Sequence, residues 1–191
     1  MTLALALLLA LYEVPKPGTY ELPPIAQVHE RELVDSSGAR VSFPGLTAGQ
    51  VSVVAFIYQS CHEAQGCPLA LALLQELDRR IAADPARAAR VRLACVSFDP
   101  ERDTPPSLAK LRELMAPKSD WRFLVPGDAT SLARILGDFG QDLVSLEGGA
   151  KRHVVKVFLV DSQLRVRNVY ASGFLDPDLV LADIDTVAGG K

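Results

Sequence analysis

The sequence predicts an α/β domain, a central mixed sheet flanked by helices with an extra β-hairpin at its N-terminal side. Two apolar runs of strand length, residues 51–58 and 91–98, bracket a stretch with Leu71, Leu74, Leu77 and Ile81 at helical spacing, the pattern of a β–α–β unit. Two further β-rich runs, residues 154–160 and 164–170, sit close together near the C-terminus and precede a helical pattern. Near-continuous apolar runs mark strands covered on both faces.

Residues 1–11 are almost purely Leu and Ala. The run is too short for a bilayer, which needs about 17–25 residues. Its length suits the core of a secretory signal, although no basic stretch precedes it. It is expected to be an export-signal remnant, the other reading being an apolar arm packed on the domain. Residues 12–25 hold Pro15, Pro17, Gly18, Pro23 and Pro24 and are expected to be an extended linker. A single domain is expected over residues 26–188. It opens with a hairpin over residues 33–43, turning at Ser37-Gly38. A buried strand (51–58), a helix (68–81) and a second buried strand (91–98) follow. Asp99 to Pro105 is a polar loop in which Asp103 or Thr104 caps the next helix, with proline at its first position. That helix ends before Pro117. A short strand (121–125), a short helix from Asp128 closed by Gly137, the late hairpin turning at Asp161-Ser162-Gln163, and a helix from Asp176-Pro177 to Val187 complete the chain. An early β–α–β unit followed by a late hairpin and a terminal helix is the thioredoxin-like arrangement.

With 191 residues, 49% of them hydrophobic and 23% charged, the chain buries a sizeable core as one compact domain. A net charge of −3 leaves no nucleic-acid footprint. Arg87, Arg90 and Arg92 are the nearest thing to a basic cluster and read as a solvated helix end.

Two of the three cysteines, Cys61 and Cys67, lie where the first central strand meets its helix. Unpaired N–H groups and the dipole of a helix N-terminus favour a thiolate, so a lowered thiol pKa is expected there. The chemistry open to such a pair is redox exchange or binding of a soft metal. Cys95 sits in an alternating strand and reads as a small core residue. Trp121 reads as core, and His29 as a surface residue with no evident partner. His62, beside Cys61, reads as an exposed loop residue, with a substitute ligand as the other possibility. Asp99, Glu101, Arg102 and Asp103 read as turn chemistry, an internal ion pair plus a helix cap, rather than as a docking loop.

Four stretches spread over residues 30–187 now show a resemblance. Leu33-Val34-Asp35 with Gly38 and Val41 resembles the opening hairpin of the Sco/SenC proteins, thioredoxin-fold copper chaperones of cytochrome c oxidase assembly. Phe56-Ile57-Tyr58-Gln59-Ser60-Cys61, with Cys67-Pro68, resembles their cysteine motif. Residues 96–105, Val-Ser-Phe-Asp-Pro-Glu-Arg-Asp-Thr-Pro, resemble the family signature after the second strand and are the most specific match. His153 followed by Val154 to Asp161 resembles the histidine-plus-strand motif.

The resemblance implies copper, as Cu(I) and also Cu(II), held by Cys61, Cys67 and His153. It implies delivery to a membrane cytochrome c oxidase subunit, outside the cytoplasm. Two thiolates and one imidazole form a soft site suited to Cu(I). The alternative is a thiol–disulfide oxidoreductase using Cys61 and Cys67 as its catalytic pair on a thiol partner protein, with a peroxidase-like thiol enzyme as a third reading. The sequence departs from the family in one respect. Five residues, 62–66, separate the cysteines, where the family pattern has three.

Overall fold

In the computed structural model the residues described are 13–61, 66–145 and 151–189. The apolar run 1–11, expected to be an export remnant, lies outside them. The strands are β1 (Ala26–Gln27), β2 (Arg31–Asp35), β3 (Arg40–Phe43), β4 (Val51–Ile57), β5 (Val91–Ser97), β6 (Trp121–Val125), β7 (Val144–Ser145), β8 (Lys151–Arg152), β9 (Lys156–Val160) and β10 (Arg165–Ala171). The helices are α1 (Cys67–Ala82), α2 (Pro85–Ala88), α3 (Pro105–Met115), α4 (Ala129–Phe139) and α5 (Pro177–Gly189).

Eight strands form one sheet in the order β1-β10-β9-β4-β5-β6-β2-β3. β4, β5 and β6 are parallel, and the remaining pairs are antiparallel. The sheet is therefore mixed, as expected of a thioredoxin-like fold. β4 lies inside it with every residue buried. The crossovers β4–α1–β5 and β5–α3–β6 step in the same direction, and the right-handed rule for parallel β–α–β units puts α1 and α3 on one face. Asp78 of α1 ties that helix to the α3–β6 connection by accepting from the Lys118 and Ser119 backbone N–H groups at 2.9 and 2.8 Å. α4 covers the other face. There Phe139 packs edge-on against Phe56 and Phe158, with ring centroids 5.3 and 5.1 Å apart.

The turns follow side-chain chemistry that is readable in the sequence. Asp35 accepts from the Ser37 and Ala39 backbone N–H groups, closing the first hairpin on Gly38 (φ 88). Thr104 is the N-cap of α3, and its backbone N–H donates to Ser107 Oγ at 3.0 Å. α3 stops at Ala116 in the left-handed conformation, before Pro117. Asp128 caps α4 through the Ser131 N–H at 2.7 Å.

Several expectations need correction. α4 passes through Gly137 and closes on Gly140 (φ 59), because the buried face continues to Phe139. The final hairpin strand begins at Lys156; Val154 stands outside it, 55% exposed. The short elements β1, α2, β7 and β8 were not expected, since two to four residues carry too little periodicity to register. The arginines are not a solvated helix end. Arg92 is on β5 and donates to Asp120 (2.9 Å) and to the carbonyls of Pro44 and Gly45 (2.9 and 2.7 Å). Arg87 pairs with Asp185 of α5 at 2.9 Å. His29 has a partner after all, Asp138 at 3.0 Å, which Arg31 shares.

Residues 13–25 contain no helix or strand. Within them Tyr20 donates to Asp183 at 2.6 Å, and the Gly18 N–H donates to Thr186 at 2.9 Å. Asp183 is buried on α5 and also accepts from Tyr170 and Asn168 of β10, both at 2.7 Å.

Asp161 organises the β9–β10 turn. It accepts from the Gln163 and Arg165 backbone N–H groups (2.9 and 3.0 Å) and pairs with Arg165 and Arg167, both at 2.8 Å. Burial raises its pKa, but the Arg165 and Arg167 bonds together outweigh burial and hold it below the usual carboxylate value. A depressed folded pKa contributes stability above the unfolded value near 3.8, and that stability is lost as pH falls through the folded value. Asp161→Ala is expected to lower unfolding free energy by about 2 kcal/mol at pH 7. In urea titrations the gap between the two proteins should narrow below about pH 4.

Candidate functional site

β4 leaves the sheet at Ile57, paired with Ser97 of β5, and sets Tyr58 at its C-terminal end. The chain then turns, with the Cys61 N–H donating to the Tyr58 carbonyl at 3.3 Å. It re-enters described structure at Gly66, the N-cap of α1, with Cys67 and Pro68 opening the helix. Cys61 is half-buried and Cys67 is 2% exposed; both are free thiols. The Tyr58 N–H donates to Cys67 Sγ at 3.4 Å. The spacer positions His62 and Glu63 lie outside the described residues.

His153 arrives from the opposite direction, on the connection between β8 and β9. Two hydrogen bonds and an ion pair hold β8 and this connection. Gln141 Nε2 donates to the Val154 carbonyl (3.1 Å), the Tyr58 hydroxyl donates to the Lys151 carbonyl (3.2 Å), and Lys151 Nζ stands 3.8 Å from Asp99. The imidazole packs edge-on against Phe98, ring centroids 4.6 Å apart, and its Nε2 lies 3.9 Å from Cys67 Sγ. Residues separated by 86 positions in the chain thus meet at the C-terminal end of β4. Cys61 and Cys67 line the same cleft, and Cys61 adds to the upward pressure on the Cys67 thiol. Among the described residues, no group of three His, Cys, Asp or Glu side chains is already set at metal-ligand spacing. The site as it stands is a close thiol–imidazole pair with a second thiol beside it.

The electrostatics correct one expectation. Burial pushes the Cys67 thiol well above its ordinary value, and the adjacent Cys61 pushes it further, although the Tyr58 N–H opposes this. The helix N-terminus does not prevail, because a 2% exposed sulfur loses more by desolvation than the dipole returns. Cys95 is wholly buried under Trp121, whose Nε1 donates to its sulfur at 3.3 Å; burial raises this thiol to about 12. Both residues are core, as expected.

The loop after β5 does more than turn. Arg102 pairs with Asp99 at 3.3 Å, the expected internal ion pair. Asp103 is not the helix cap. It is buried and accepts from Ser97 Oγ (2.6 Å), the Gln59 N–H (3.2 Å) and Gln59 Nε2 (3.3 Å). Burial raises its pKa against these bonds. Asp103 thus fastens the residue after Tyr58 to the second strand. Gln59, Tyr58 and Lys151 were not singled out in the sequence. The signal for Tyr58 and Gln59 was their place inside the cysteine motif, whereas nothing local marks Lys151. A cleft of about 510 Å³ opens beside the cysteines between α1 and α3, lined by Leu71, Leu111, Leu114 and Met115.

Comparison with known proteins bears on this geometry. A sequence model of the family described as SCO1/SenC matches residues 24–189. Comparison with curated protein sequences found no match. Among solved structures, a SCO1/SenC family lipoprotein from Bacillus anthracis is similar at a TM-score of 0.75 and 20% identity, covering 88% of this chain and 99% of its own. BsSco, described as a member of the Sco family of cytochrome c oxidase assembly proteins with a disulfide switch, is similar at a TM-score of 0.74 and 22% identity, with coverages of 90% and 100%. Copper-bound ScoI from Bradyrhizobium japonicum is similar at a TM-score of 0.67 and 23% identity, with coverages of 85% and 99%. At these identities the likeness establishes the fold.

The three thiols should separate by burial and protonation. With a small alkylating reagent at neutral pH, Cys61 is expected to react first, Cys67 more slowly, and Cys95 only on unfolding. A raised pKa keeps Cys67 protonated at neutral pH, so its rate should climb as pH rises. Peptide mapping after timed quenching reads the order, and early labelling of Cys95 would contradict it.

Proposed function

The chain belongs to the SCO1/SenC family, and on that footing we propose that it binds copper in support of cytochrome c oxidase assembly. The ion is cargo, carried as Cu(I) by Cys61, Cys67 and His153. The observation that carries the reading is the 3.9 Å approach of His153 Nε2 to Cys67 Sγ, two soft-metal donors joined from distant parts of the chain. Thiolate and imidazole are the donors that copper selects over harder cations. The copper bound to the Bradyrhizobium relative supports the choice of metal. A low-coordinate site at the end of a strand, beside an open cleft, leaves room for an incoming ligand from an oxidase subunit, so the ion can leave by ligand exchange. The work is placed outside the cytoplasm, which the lipoprotein nature of the Bacillus anthracis relative supports. Among the described residues no helix is long and apolar enough to cross a membrane.

A second reading rests on both cysteines being anchored to Tyr58, Cys61 through its N–H at 3.3 Å and Cys67 through its sulfur at 3.4 Å. One thiolate attacks a partner disulfide, forming a mixed disulfide and releasing one partner thiolate. The other cysteine then attacks the mixed bond, closing Cys61–Cys67 and releasing the second thiolate. The partner gains two electrons and this chain loses two. The disulfide switch described for BsSco supports it. The two readings exclude each other at any instant, since copper needs both sulfurs reduced.

Anaerobic titration of the reduced protein with Cu(I), followed by desalting and metal analysis, tests the first reading. One copper per chain is expected. Cys61→Ala, Cys67→Ala and His153→Ala should each weaken retention by at least tenfold, because each removes one donor of a small set. Protons compete with the metal for thiols, so affinity should rise with pH across the neutral range. Full affinity in either cysteine variant would sink the copper assignment.

A further inference from the structure

Among the described residues, β8 pairs as a strand with β7 alone, in a two-stranded sheet separate from the main one. Something else must set this ribbon, and the histidine that follows it, at the right distance from the cysteines. Tyr58 is in contact with all three proposed ligands. Its N–H donates to Cys67 Sγ (3.4 Å), and its carbonyl accepts from the Cys61 N–H (3.3 Å). Its ring meets the His153 ring edge-on at 6.0 Å, and its hydroxyl donates to the carbonyl of Lys151, two residues before His153, at 3.2 Å. The residue is 6% exposed, so this geometry is enforced by packing.

Resting on the copper reading, we propose that the Tyr58 hydroxyl is a positioning group that tethers the histidine-bearing ribbon to the cysteine turn and thereby sets the His153–Cys67 separation. Tyr58 is not itself a ligand. Its backbone is fixed by β4 and its ring by Phe98, with ring centroids 6.2 Å apart. The hydroxyl is therefore a rigid arm of set length, reaching from the cysteine turn to the backbone just before His153. The other anchors, Asp99 on Lys151 and Gln141 on Val154, grip the ribbon from outside the cysteine turn and set no distance to the sulfurs. A phenylalanine keeps the ring packing and deletes only the tether.

The experiment compares Tyr58→Phe with the unaltered chain in two arms. In the metal-free protein, NMR cross-peaks between the His153 imidazole and the Phe98 ring report the seat of the histidine without any metal. They are expected to be strong in the unaltered chain and clearly weaker in Tyr58→Phe, with the thermal midpoint little changed. In the copper arm, competition with a chromogenic chelator is expected to show Cu(I) held about tenfold more weakly, the factor supplied by one net hydrogen bond. Tyr58→Phe in a His153→Ala background should then cost nothing further, because the hydroxyl acts through the histidine. Unchanged cross-peaks in Tyr58→Phe overturn the proposal, as does an equal loss of affinity with and without His153. If the unaltered chain takes up no copper, the copper reading fails, and the metal-free arm still decides the positioning role. Tyr58→Leu separates the two parts of the side chain. Loss in Leu but not in Phe would assign the effect to the ring and overturn the tether.

Discussion

Everything at the site hangs from the complete burial of β4. Its seven residues are sealed between β5 and β9, and no polar face tempts the strand to slip in register. Register fixes Ile57 against Ser97, so Tyr58 leaves the sheet at one defined place and direction. The Cys61 turn, the start of α1 and the seat of His153 are all measured from there. The same register places Ser97 where its hydroxyl meets Asp103, and Asp103 in turn holds Gln59. The strand does not merely support the site, because its termination point is the origin from which the positions of the cysteines and His153 are set.

The cysteines sit in a competition between two fields. A helix N-terminus is worth roughly 0.3–1 kcal/mol to a nearby anion when exposed. Removing a sulfur from water costs the thiolate more, and for Cys67 burial is the larger effect. The metal-free protein therefore keeps a protonated, slow-reacting thiol here, where a pure oxidoreductase gains from a thiolate ready to attack. A metal ion overcomes the burial cost directly, since its charge compensates the sulfur's own. This asymmetry favours carriage of a cation over fast thiol exchange, and it arises from 2% exposure rather than from any residue type.

Much of the fold was legible because it is written in periodicity. The apolar runs of β4 and β5, the helical spacing of α1, and the turn chemistry of Asp35, Asp128 and Asp161 are local statements that the packing did not override. The misses are of two kinds. The β7 and β8 strands and the α2 turn are too short to carry a period, and their existence depends on contacts made elsewhere. Arg87 and Arg92 were misread, and the partner of the exposed His29 was missed, because their partners are far away in sequence, 98 positions in the case of Arg87 and Asp185. The site shows the same division. Cys61 and Cys67 were legible from their place between strand and helix, but His153 needed its motif, and Lys151 carried no signal because its role lies in its backbone carbonyl.

The five-residue spacer between the cysteines is the sequence's departure from the family pattern, and its energetic weight can now be judged. Each end has an anchor among the described residues. Cys61 is held by the Tyr58 carbonyl and Cys67 by the first turn of α1 and the Tyr58 N–H. With the ends fixed, lengthening a closed loop from three residues to five costs about 0.5 kcal/mol, because closure entropy grows only as the logarithm of length. Ordering each added residue fully would cost roughly 1–2 kcal/mol, but only if function required those residues to be immobile. These anchors lie outside residues 62–65, so they do not themselves impose that larger cost. Tyr58 and α1 anchor the pair at its two ends, and the longer spacer alone gives no reason to set aside the copper reading.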